Sequence, residues 1–321
     1  MNWSNFKSKL LTVIFNRILA IKNIASDLIL KRSRQLLAYY NFKRLRSFTI
    51  LNSEETLNYI ITKQPSVSRF GDGEFQMILG GGGGFQDASE SLAKRLDEVL
   101  NSSGTKSGHI VCIPYPFVSC KGRTKRSQDF WNEYLTENYK SLLQIVPPHK
   151  TFYDACFTRF YIAYLNENYA QLIFDKIKRI WENREVIIVE GAGTRMGVNN
   201  DLFSNAISVG RIICPSKNAW DVYDQILDYI CNNINKNFLI LCALGMAATV
   251  LAYDLSQCGY QAIDIGHVDI EYEWFRMKER EKCPIVGKSV NECGINDPDE
   301  IMSSDYHSQI IHTIEKKDEC D

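Results

Sequence analysis

The sequence predicts an α/β protein built on a largely parallel sheet with helices on both faces. Apolar segments of about five residues alternate with longer amphipathic segments, which is the pattern of repeated strand–helix units. Two of the apolar segments, 185–189 and 238–243, run directly into glycine-containing turns. An apolar fraction of 45% in 321 residues is normal for a globular protein with a full core.

Cysteine usage and hydropathy argue against several other classes of protein. The ten cysteines include no Cys-x-x-Cys pair, and a chain of this length needs no disulfide scaffold, so we expect reduced thiols in a cytosolic protein. The first apolar stretch lacks a small-residue cleavage site, which argues against a signal peptide. The longest uncharged run near the N-terminus, residues 10–16, is too short to cross a bilayer.

The net charge of −1 hides a strong asymmetry along the chain. Residues 1–50 carry ten Lys or Arg and one acid, a charge of +9, whereas the remaining residues carry 27 basic and 37 acidic side chains, a charge of −10. Such a split marks the basic segment as a unit with its own partner. We therefore divide the sequence into a basic extension, residues 1–48, and a main domain, residues 49–321.

The pattern of apolar residues in the extension predicts an amphipathic helix. Apolar side chains recur at spacings of three and four and so form one stripe: Phe6, Leu10, Val13, Ile14, Ile18, Ile21, Ala25 and Leu28. Trp3 and Phe6 would suit a lipid headgroup boundary. An anionic membrane surface, the body of the protein and nucleic acid are alternative partners for a basic amphipathic helix. Our hypothesis is the membrane surface, and we expect no nucleic acid.

The first half of the main domain alternates helices with short strands. Ser53 is a candidate N-cap for a helix over 53–63, whose first-turn acids Glu54 and Glu55 suit the positive end of the helix dipole. The elements predicted after it are a strand at 66–70, a helical turn at 75–79, a glycine loop at 80–84, a helix at 89–100, a strand at 109–113, a helix at 129–146 and an aromatic strand at 152–164. The glycine run cannot hold regular structure cheaply, so we expect a mobile flap.

The second half has the clearest strand–loop–helix units. Its predicted elements are strands at 185–189, 211–214, 238–243 and 261–265, and helices at 221–232 and 244–255. Basic residues also stand in the first half, with Arg123, Lys125 and Arg126 in a polar loop and Arg159 in the aromatic strand. These side chains could face a phosphate or a sugar, but they could equally be solvated or paired with an acid.

Two carboxylates follow the strand predicted at 66–70. Asp72 and Glu74 are two residues apart, and glycines flank Asp72 on both sides. Such a turn can direct both carboxylates at one divalent cation held against a diphosphate, and Gly71 and Gly73 allow a ligand to approach closely. Arg69 suits either an ion pair or a phosphate clamp. The alternative is a strand–turn–helix corner with solvated acids.

A second candidate station follows the strand at 185–189. A glycine-rich turn that begins at Gly191 contains Thr194 and Arg195, and Asn200 lies in a polar stretch that we expect to lead into a helix. Backbone N–H groups in such a turn point at an anion, and a hydroxyl and a planar cation suit pyrophosphate. Tight turns in α/β proteins also use glycine without any ligand.

A third station follows the strand at 261–265. His267, Asp269, Glu271 and Glu273 share one face if this segment is extended. A histidine beside carboxylates can act as a general base or as a second metal contact. The alternative is a solvated acidic helix, and the absence of a two-histidine spacing argues against zinc. Because ligands bind beyond the carboxyl ends of parallel strands, the three stations together predict one site.

Six segments, in order, resemble the GT-D-type glycosyltransferases, a family first catalogued as a domain of unknown function. They are Arg-Phe-Gly-Asp-Gly-Glu-Phe at 69–75, Phe-Gln…Leu-Ala-Lys-Arg-Leu at 85–96, Val-Glu-Gly…Thr-Arg-Met-Gly-Val-Asn-Asn-Asp-Leu-Phe at 189–203, Arg-Ile-Ile-Cys-Pro…Asn-Ala-Trp at 211–220, Asp-Ile-Gly-His-Val-Asp-Ile-Glu-Tyr-Glu-Trp at 264–274 and Val-Asn-Glu at 290–292. The resemblance leaves out the basic extension and makes the main domain a catalytic domain.

The resemblance implies a Rossmann-like fold and metal-dependent transfer of a hexose from a UDP-linked sugar. The family's DxE motif maps onto Asp72 and Glu74, which would hold Mn²⁺ or Mg²⁺. From their places after the predicted strands, we assign Arg69, Gly71, Gly73, Gly191, Thr194, Arg195 and Asn200 to the nucleotide sugar, and our candidates for catalysis are His267, Asp269 and Glu271. The resemblance further implies a glycan, glycoprotein or lipid-linked acceptor in bacterial surface polysaccharide or glycoprotein synthesis, at the inner face of the membrane.

Two other functions stay open from the residues alone. Glu190-Gly-Ala-Gly resembles the first motif of SAM-dependent methyltransferases. Those enzymes place an acid after the next strand, where this sequence has Pro215 and Ser216. A non-enzymatic scaffold bound to the membrane through residues 1–48 would leave the acidic and glycine-rich stations unexplained.

Overall fold

The computed structural model of the chain describes residues 3–45, 47–84, 86–102, 108–295 and 304–316. Its strands are β1 Thr49–Ile50, β2 Ser66–Arg69, β3 His109–Ile113, β4 Thr151–Asp154, β5 Glu185–Gly191, β6 Ser208–Cys214, β7 Leu239–Ala243, β8 Gln261–Asp264 and β9 Ile310–Thr313. Its α-helices are α1 Trp3–Leu45, α2 Ser53–Lys63, α3 Asp72–Ile78, α4 Glu90–Asn101, α5 Lys125–Ile145, α6 Glu167–Lys178, α7 Tyr223–Asn233, α8 Met246–Gln257, α9 Val268–Met277 and α10 Ser304–Gln309.

The nine strands form one sheet in the order β1-β4-β3-β2-β8-β7-β5-β6-β9. Every strand pairing in the described residues is parallel. The side chains of β5 alternate between two hydrophobic clusters, with Ile187 and Val189 in one and Val186 and Ile188 in the other. Both faces of the sheet are therefore buried under helices, which confirms the predicted fold class.

Helix α1 is exposed over residues 19–34 and packs into the core near its end. Ala38 and Phe42 are buried, and the Phe42 ring lies against the rings of Phe48 and Phe117. The predicted extension, residues 1–48, thus ends in side chains that pack into the first core cluster. In the described part of the chain, no helix combines the length and the apolarity needed to cross a membrane.

The exposed stretch of α1 is not limited to the predicted stripe. Leu19 and Ile21 are both exposed, although a helix places them about 200° apart. The apolar side chains exposed on this helix are Leu19, Ile21, Ile24, Leu28, Ile29, Leu30, Leu36, Leu37 and Tyr40. The side chains of Trp3 and Phe6 lie outside the described residues.

Several element boundaries differ from the predicted ones for reasons of capping. The N-cap of α2 is Asn52 rather than Ser53, because the Asn52 side chain accepts the Glu55 N–H at 3.0 Å and Glu55 Oε2 accepts the Asn52 N–H at 2.8 Å. The predicted aromatic strand at 152–164 ends at Asp154. There Asp154 Oδ1 accepts the Cys156 N–H at 2.8 Å and starts a 3₁₀ turn.

The glycine run at 80–84 packs closely against its surroundings. The Gly81 N–H donates to Gln76 O and the Gly83 N–H donates to Gln86 O, both at 2.9 Å. A Cβ atom at Gly83 would stand 2.6 Å from Met246 Cε. That atom is the end of a flexible side chain that can move aside, whereas a Cβ atom at Gly82 would stand 2.8 Å from the Ala88 backbone nitrogen, so glycine is required at Gly82.

Candidate active site

The candidate site lies at the carboxyl ends of the four central strands, β2, β8, β7 and β5. The chain leaves β2 toward β3 on one side of the sheet and leaves β5 toward β6 on the other side, with β8 and β7 between them. Ligands of parallel sheets bind where the connections diverge in this way. The segments after β2, β5 and β8 are the three stations that the sequence analysis singled out.

Arg69 joins the segments at the base of this site through hydrogen bonds. Its guanidinium donates to the Asp264 main-chain oxygen at 2.8 Å, to Asp264 Oδ1 at 2.7 Å and to Thr158 Oγ1 at 2.6 Å. Gly266 makes room for it, since a Cβ atom there would stand 2.0 Å from Arg69 Nη2 and the backbone φ is +49°. Of the two roles that the sequence allowed, these contacts favour the ion pair over the phosphate clamp.

Asp72 and Glu74 lie in the first turn of α3, so the helix starts earlier than the predicted turn at 75–79. Glu74 Oε2 accepts the Gly71 N–H at 2.6 Å, and the Asp72 side chain is exposed. Burial, and next the negative charge of Asp264, raise the pKa of Glu74 to about 7. Burial and the nearby charges of Asp72 and Glu74 also raise the pKa of Tyr134, so its phenol lies close to both carboxylates.

Asp72 and Glu74 offer the oxygen ligands that a hard divalent cation prefers, but residues two apart in a helical turn do not share one helix face. Mg²⁺ is usually bound through one or two carboxylates together with phosphate oxygens and water, and Asp72 and Glu74 supply two carboxylates at the rim of the cleft. The raised pKa of Glu74 comes first from burial, while the positive charge of Arg69 acts in the opposite direction. Among the described residues, no group of three or more His, Cys, Asp or Glu side chains could hold a metal.

The loop after β5 is tied down by a buried ion pair. Glu190 Oε1 accepts from Arg211 Nη1 at 2.5 Å, and Glu190 Oε2 accepts the Met196 N–H at 2.8 Å. Gly191 lies under the next connection, where a Cβ atom would stand 3.2 Å from the Ser216 Cα atom. The Thr194 N–H donates to the Gly191 carbonyl at 3.0 Å, which closes the turn.

Two residues predicted to bind the nucleotide sugar contact the protein itself. Arg195 Nη1 donates to the Gly287 carbonyl at 2.8 Å. Asn200 Nδ2 donates to Asp269 Oδ1 at 2.8 Å and to Glu273 Oε1 at 2.6 Å. The polar stretch around Asn200 forms turns rather than the start of a helix, which corrects that expectation. These contacts order the loop; the predicted ligand roles of Thr194, Arg195 and Asn200 stay predictions.

The segment from Val268 onward is helix α9, so its acids do not share one face as an extended segment would require. On a helix, residues four apart share a face, whereas residues two apart do not. Asp269 and Glu273 therefore point one way, and His267 and Glu271 point another way. The two pairs have different surroundings.

The Asp269 face is a buried ion-pair network. Lys288 Nζ lies 2.6 Å from Asp269 Oδ2 and 3.1 Å from Glu273 Oε1, and the Lys288 and Asp269 side chains are 1% and 2% exposed. Asp269 Oδ1 accepts the Gly197 N–H at 2.9 Å and also the Asn200 amide. Both oxygens of Asp269 are thus occupied, which favours a positioning role over that of a base.

The His267 face carries a histidine at the start of α9 and Glu271 one turn later. The pKa of His267 lies well below its usual range, because of burial first and then the positive charges of Arg159 and Arg69. Glu271 Oε2 accepts the Ile162 N–H at 3.2 Å, and burial raises the pKa of this carboxyl. The imidazole is therefore in the neutral form that can accept a proton, but its lowered pKa makes it a weaker base than an ordinary histidine.

Sequence reasoning missed the residues that connect the stations. Asp264 joins β8 to Arg69, and Thr158 joins the 3₁₀ turn after β4 to the same guanidinium. Lys288 was not singled out, because nothing near it in the sequence indicates burial. Asp264 had a detectable signal, since an acid at the end of an apolar strand needs a partner.

The parallel sheet and the polar residues after β2, β5 and β8 define an α/β protein with a ligand-binding edge at the carboxyl ends of its central strands. The family model described as Glycosyltransferase GT-D fold matches residues 67–293, which is more than half of the chain. The chain therefore belongs to the GT-D-fold glycosyltransferase family. Of the functions left open by the sequence, this family membership favours the glycosyltransferase over the methyltransferase and the scaffold.

Named relatives and solved structures agree with the family. The chain is 35% identical over 273 residues to Glycosyltransferase GlyD of Streptococcus pneumoniae serotype 4, a match that covers 85% of this chain and 33% of that protein. It is 35% identical over 271 residues to Probable glycosyl transferase Gly of Streptococcus gordonii, covering 84% of this chain and 39% of that protein. The chain thus spans little more than a third of the length of these relatives.

Two structural neighbours cover nearly the same part of the chain. The first is the structure of domain of unknown function 1792, described as a distinct glycosyltransferase fold, with a TM-score of 0.81 at 35% identity over 86% of this chain and 99% of that chain. The second is a glycosyltransferase of the same domain family from Streptococcus sanguinis, with a TM-score of 0.79 at 33% identity over 83% of this chain and 99% of that chain.

Proposed function

We propose that this chain transfers a hexose, glucose or a related sugar, from a UDP-linked donor in a metal-dependent reaction. The observation that carries the proposal is the position of Asp72 and Glu74 in the first turn of α3, directly beyond the carboxyl end of β2. Bound there, Mn²⁺ or Mg²⁺ would neutralise the charge that develops on the departing diphosphate. The acceptor that we propose is a glycan, a glycoprotein or a lipid-linked saccharide of bacterial surface polysaccharide or glycoprotein synthesis.

Proton transfer in this proposal belongs to His267. In an inverting reaction a base takes the proton of the acceptor hydroxyl as the sugar bond forms. Burial and Arg159 hold His267 in its neutral form, and Glu271 lies one helical turn away on the same face. Among the three residues predicted for catalysis, Asp269 has both carboxylate oxygens bound within the protein, so we give it a positioning role.

Calorimetry of the full chain tests the proposal. We expect UDP to bind when Mn²⁺ is present and to bind at least tenfold more weakly after the metal is removed with EDTA, because a cation held by Asp72 and Glu74 would supply the positive charge that attracts the diphosphate. Hydrolysis of UDP- and GDP-linked sugars, followed by nucleotide release, then identifies the donor. Equal UDP affinity with and without metal would contradict metal dependence, and binding of SAM instead of UDP would contradict the proposal as a whole.

We further propose that the exposed stretch of α1 binds an anionic membrane surface, which would hold the enzyme at the inner face of the cell membrane. Ten basic residues stand against one acid in residues 1–50, and apolar side chains such as Leu28 and Ile29 are more than half exposed. A basic helix with exposed apolar side chains gains free energy from both headgroup charge and acyl-chain contact.

Vesicle sedimentation tests this membrane hypothesis. The full chain is expected to bind vesicles that contain phosphatidylglycerol. It should be released by about 0.5 M salt, which is several-fold above physiological ionic strength. The variant Leu28→Glu/Ile29→Glu should lose binding without unfolding, because both side chains are exposed. The matched control is Leu165→Glu, which changes an equally exposed leucine outside α1. Equal vesicle binding by the α1 variant and the wild type would contradict the hypothesis.

A further inference from the structure

The glycine run at 80–84 belongs to a longer segment that none of the three stations includes. Residues 80–84 and 86–88, called here the strap, lie between the end of α3 and the start of α4. The sequence predicts a mobile flap at the glycine run, whereas hydrogen bonds hold both ends of the strap. Those two ends lie on opposite sides of the candidate site.

The near end of the strap is bonded to α3, the helix whose first turn carries Asp72 and Glu74. The Gly81 N–H donates to Gln76 O at 2.9 Å, so the strap begins beside the last turn of that helix. Helix α3 starts at the carboxyl end of β2, and its seven residues rise only about 10 Å. The strap therefore starts close to the ligand-binding edge of the sheet.

The far end of the strap is bonded to the connection after β6. Asp87 and Asn218 form a reciprocal pair: the Asp87 N–H donates to Asn218 Oδ1 at 2.9 Å, and Asn218 Nδ2 donates to Asp87 Oδ2 at 2.8 Å. The Trp220 N–H donates to Gln86 Oε1 at 3.3 Å. These three hydrogen bonds are called here the latch. Asn218 has a φ of +54°, a conformation that asparagine adopts more readily than most residues.

The two bonded ends put the strap across the candidate site. In the sheet order, β8, β7 and β5 lie between β2, which precedes α3, and β6, which precedes the latch. Neighbouring strands are about 4.8 Å apart, so β2 and β6 are about 19 Å apart. Gly191, in the turn after β5, lies under the latched connection, because a Cβ atom there would stand 3.2 Å from the Ser216 Cα atom. The strap thus follows the rim of the sheet from the first station to the second.

The middle of the strap contacts the start of α8. A Cβ atom at Gly83 would stand 2.6 Å from Met246 Cε, and a Cβ atom at Gly73 would stand 3.0 Å from the same methyl group. Met246 therefore lies against both the strap and the glycine between Asp72 and Glu74. Because one flexible methyl group contacts both glycines, the position of the strap affects the space around the two carboxylates.

The strap can be released at a small free-energy cost. Among its described residues only Gln86 is buried, and a Cβ atom at Gly80 or Gly84 would meet nothing within 4 Å. Asp87 is exposed, so water can replace the hydrogen bonds of the latch, and bonds of this kind contribute little net free energy. Segments with few buried contacts and exposed hydrogen bonds are the ones that open locally.

We propose that the strap is a lid, which opens to admit the nucleotide sugar and closes over it when the latch forms. Asp87 and Asn218 are positioning residues in this proposal, because they act through the strap and not on the reacting atoms. Closure of a lid excludes water from the donor and so disfavours its hydrolysis. The inference rests on the proposed function, because it takes the ligand at this edge to be a nucleotide sugar with its metal ion.

Hydrogen–deuterium exchange of the full chain tests the lid. With UDP and Mn²⁺ bound, the backbone N–H groups of the strap should exchange at least about fivefold more slowly than in the ligand-free protein, because a closed lid keeps the hydrogen bonds of Gly81 and Gly83. The variant Asn218→Gly loses two of the three bonds of the latch and keeps the φ of +54° without strain. Its ligand-free strap should exchange at least about fivefold faster than that of the wild type. Calorimetry should show UDP binding with Mn²⁺ weakened by about threefold or more.

The matched control is Asn183→Gly. Asn183 also has a φ of +54° and is exposed, but it lies just before β5, at the opposite edge of the sheet. Strap exchange and UDP affinity of this control should stay within about twofold of the wild type, as expected for a surface substitution. Thermal unfolding of both variants checks the fold.

Two results would overturn the lid. In the first, calorimetry shows that the wild type binds UDP with Mn²⁺, yet its strap exchanges equally fast with and without them. In the second, the ligand-free strap of Asn218→Gly exchanges as slowly as that of the wild type. The transferase proposal fails on a different result, the absence of metal-dependent UDP binding by the wild type. Failure of one is therefore distinguishable from failure of the other.

Discussion

Replacing Asp72 by asparagine is expected to lower metal-dependent sugar transfer by about 10²–10³-fold, the loss typical of removing one electrostatic stabiliser of a transition state. Asparagine keeps the size of the side chain but removes the charge that a cation requires. Because Asp72 is exposed in the first turn of α3, the fold should lose no more than about 1 kcal/mol from the helix dipole. The measurements are initial rates of UDP release with saturating Mn²⁺ and a thermal unfolding curve.

Glu74→Gln should lower the transfer rate as much as Asp72→Asn does, because it also removes a carboxylate charge. The local fold should be kept, since the amide oxygen can still accept the Gly71 N–H that Glu74 accepts now. The matched control is Asp224→Asn, which removes an exposed carboxylate from the first turn of α7. Its transfer rate should equal that of the wild type. A wild-type rate in Asp72→Asn would remove the metal role from this pair.

The second large effect is on stability. Lys288→Met should lower the free energy of unfolding by about 3–5 kcal/mol, the cost of leaving a buried charge without its partner. Lys288 is 1% exposed and lies between Asp269 and Glu273, so the substitution leaves two buried carboxylates together. Urea unfolding measures the loss.

A second substitution makes this expectation specific. Asp269→Asn in the Lys288→Met background should recover part of the lost stability, because it removes one of the two stranded charges. The control Lys94→Met changes an exposed lysine on α4 and should alter stability by no more than about 0.5 kcal/mol. No recovery in the double variant would contradict the ion-pair account.

The single variant Asp269→Asn distinguishes a positioning role of Asp269 from a catalytic role. If Asp269 positions the loop after β5, Asp269→Asn should lower the unfolding temperature and reduce the transfer rate modestly. A rate loss of about 10³-fold or more at an unchanged unfolding temperature would instead identify Asp269 as the base.

Local patterns predicted most of the architecture. Apolar runs such as 185–189 and 238–243 are buried on both faces of a parallel sheet and so read as continuous hydrophobic segments. The two-residue strand β1 and the edge strand β9 were not predicted. Strand β1 has too few residues to show a pattern, and β9 alternates between half-buried and exposed positions. Their place was decided by pairing with β4 and β6.

The candidate site was predicted less completely than the fold. Residues next to strand ends could be found because the chain direction itself places them at the ligand-binding edge. Their partners could not, since Arg69 and Asp264 are 195 positions apart and nothing in the sequence joins them.

By itself, the sequence determined the parallel sheet, the glycine-flanked carboxylates and the basic N-terminal segment, because hydrophobic period, turn chemistry and charge are local properties. Only the tertiary structure decided which acids are free to act. The helical geometry of α9 separates His267 and Glu271 from Asp269 and Glu273, and a buried lysine from the segment after α9, Lys288, pairs with Asp269 and Glu273. The environment of a side chain depends on whatever the fold packs against it, and that is a non-local quantity.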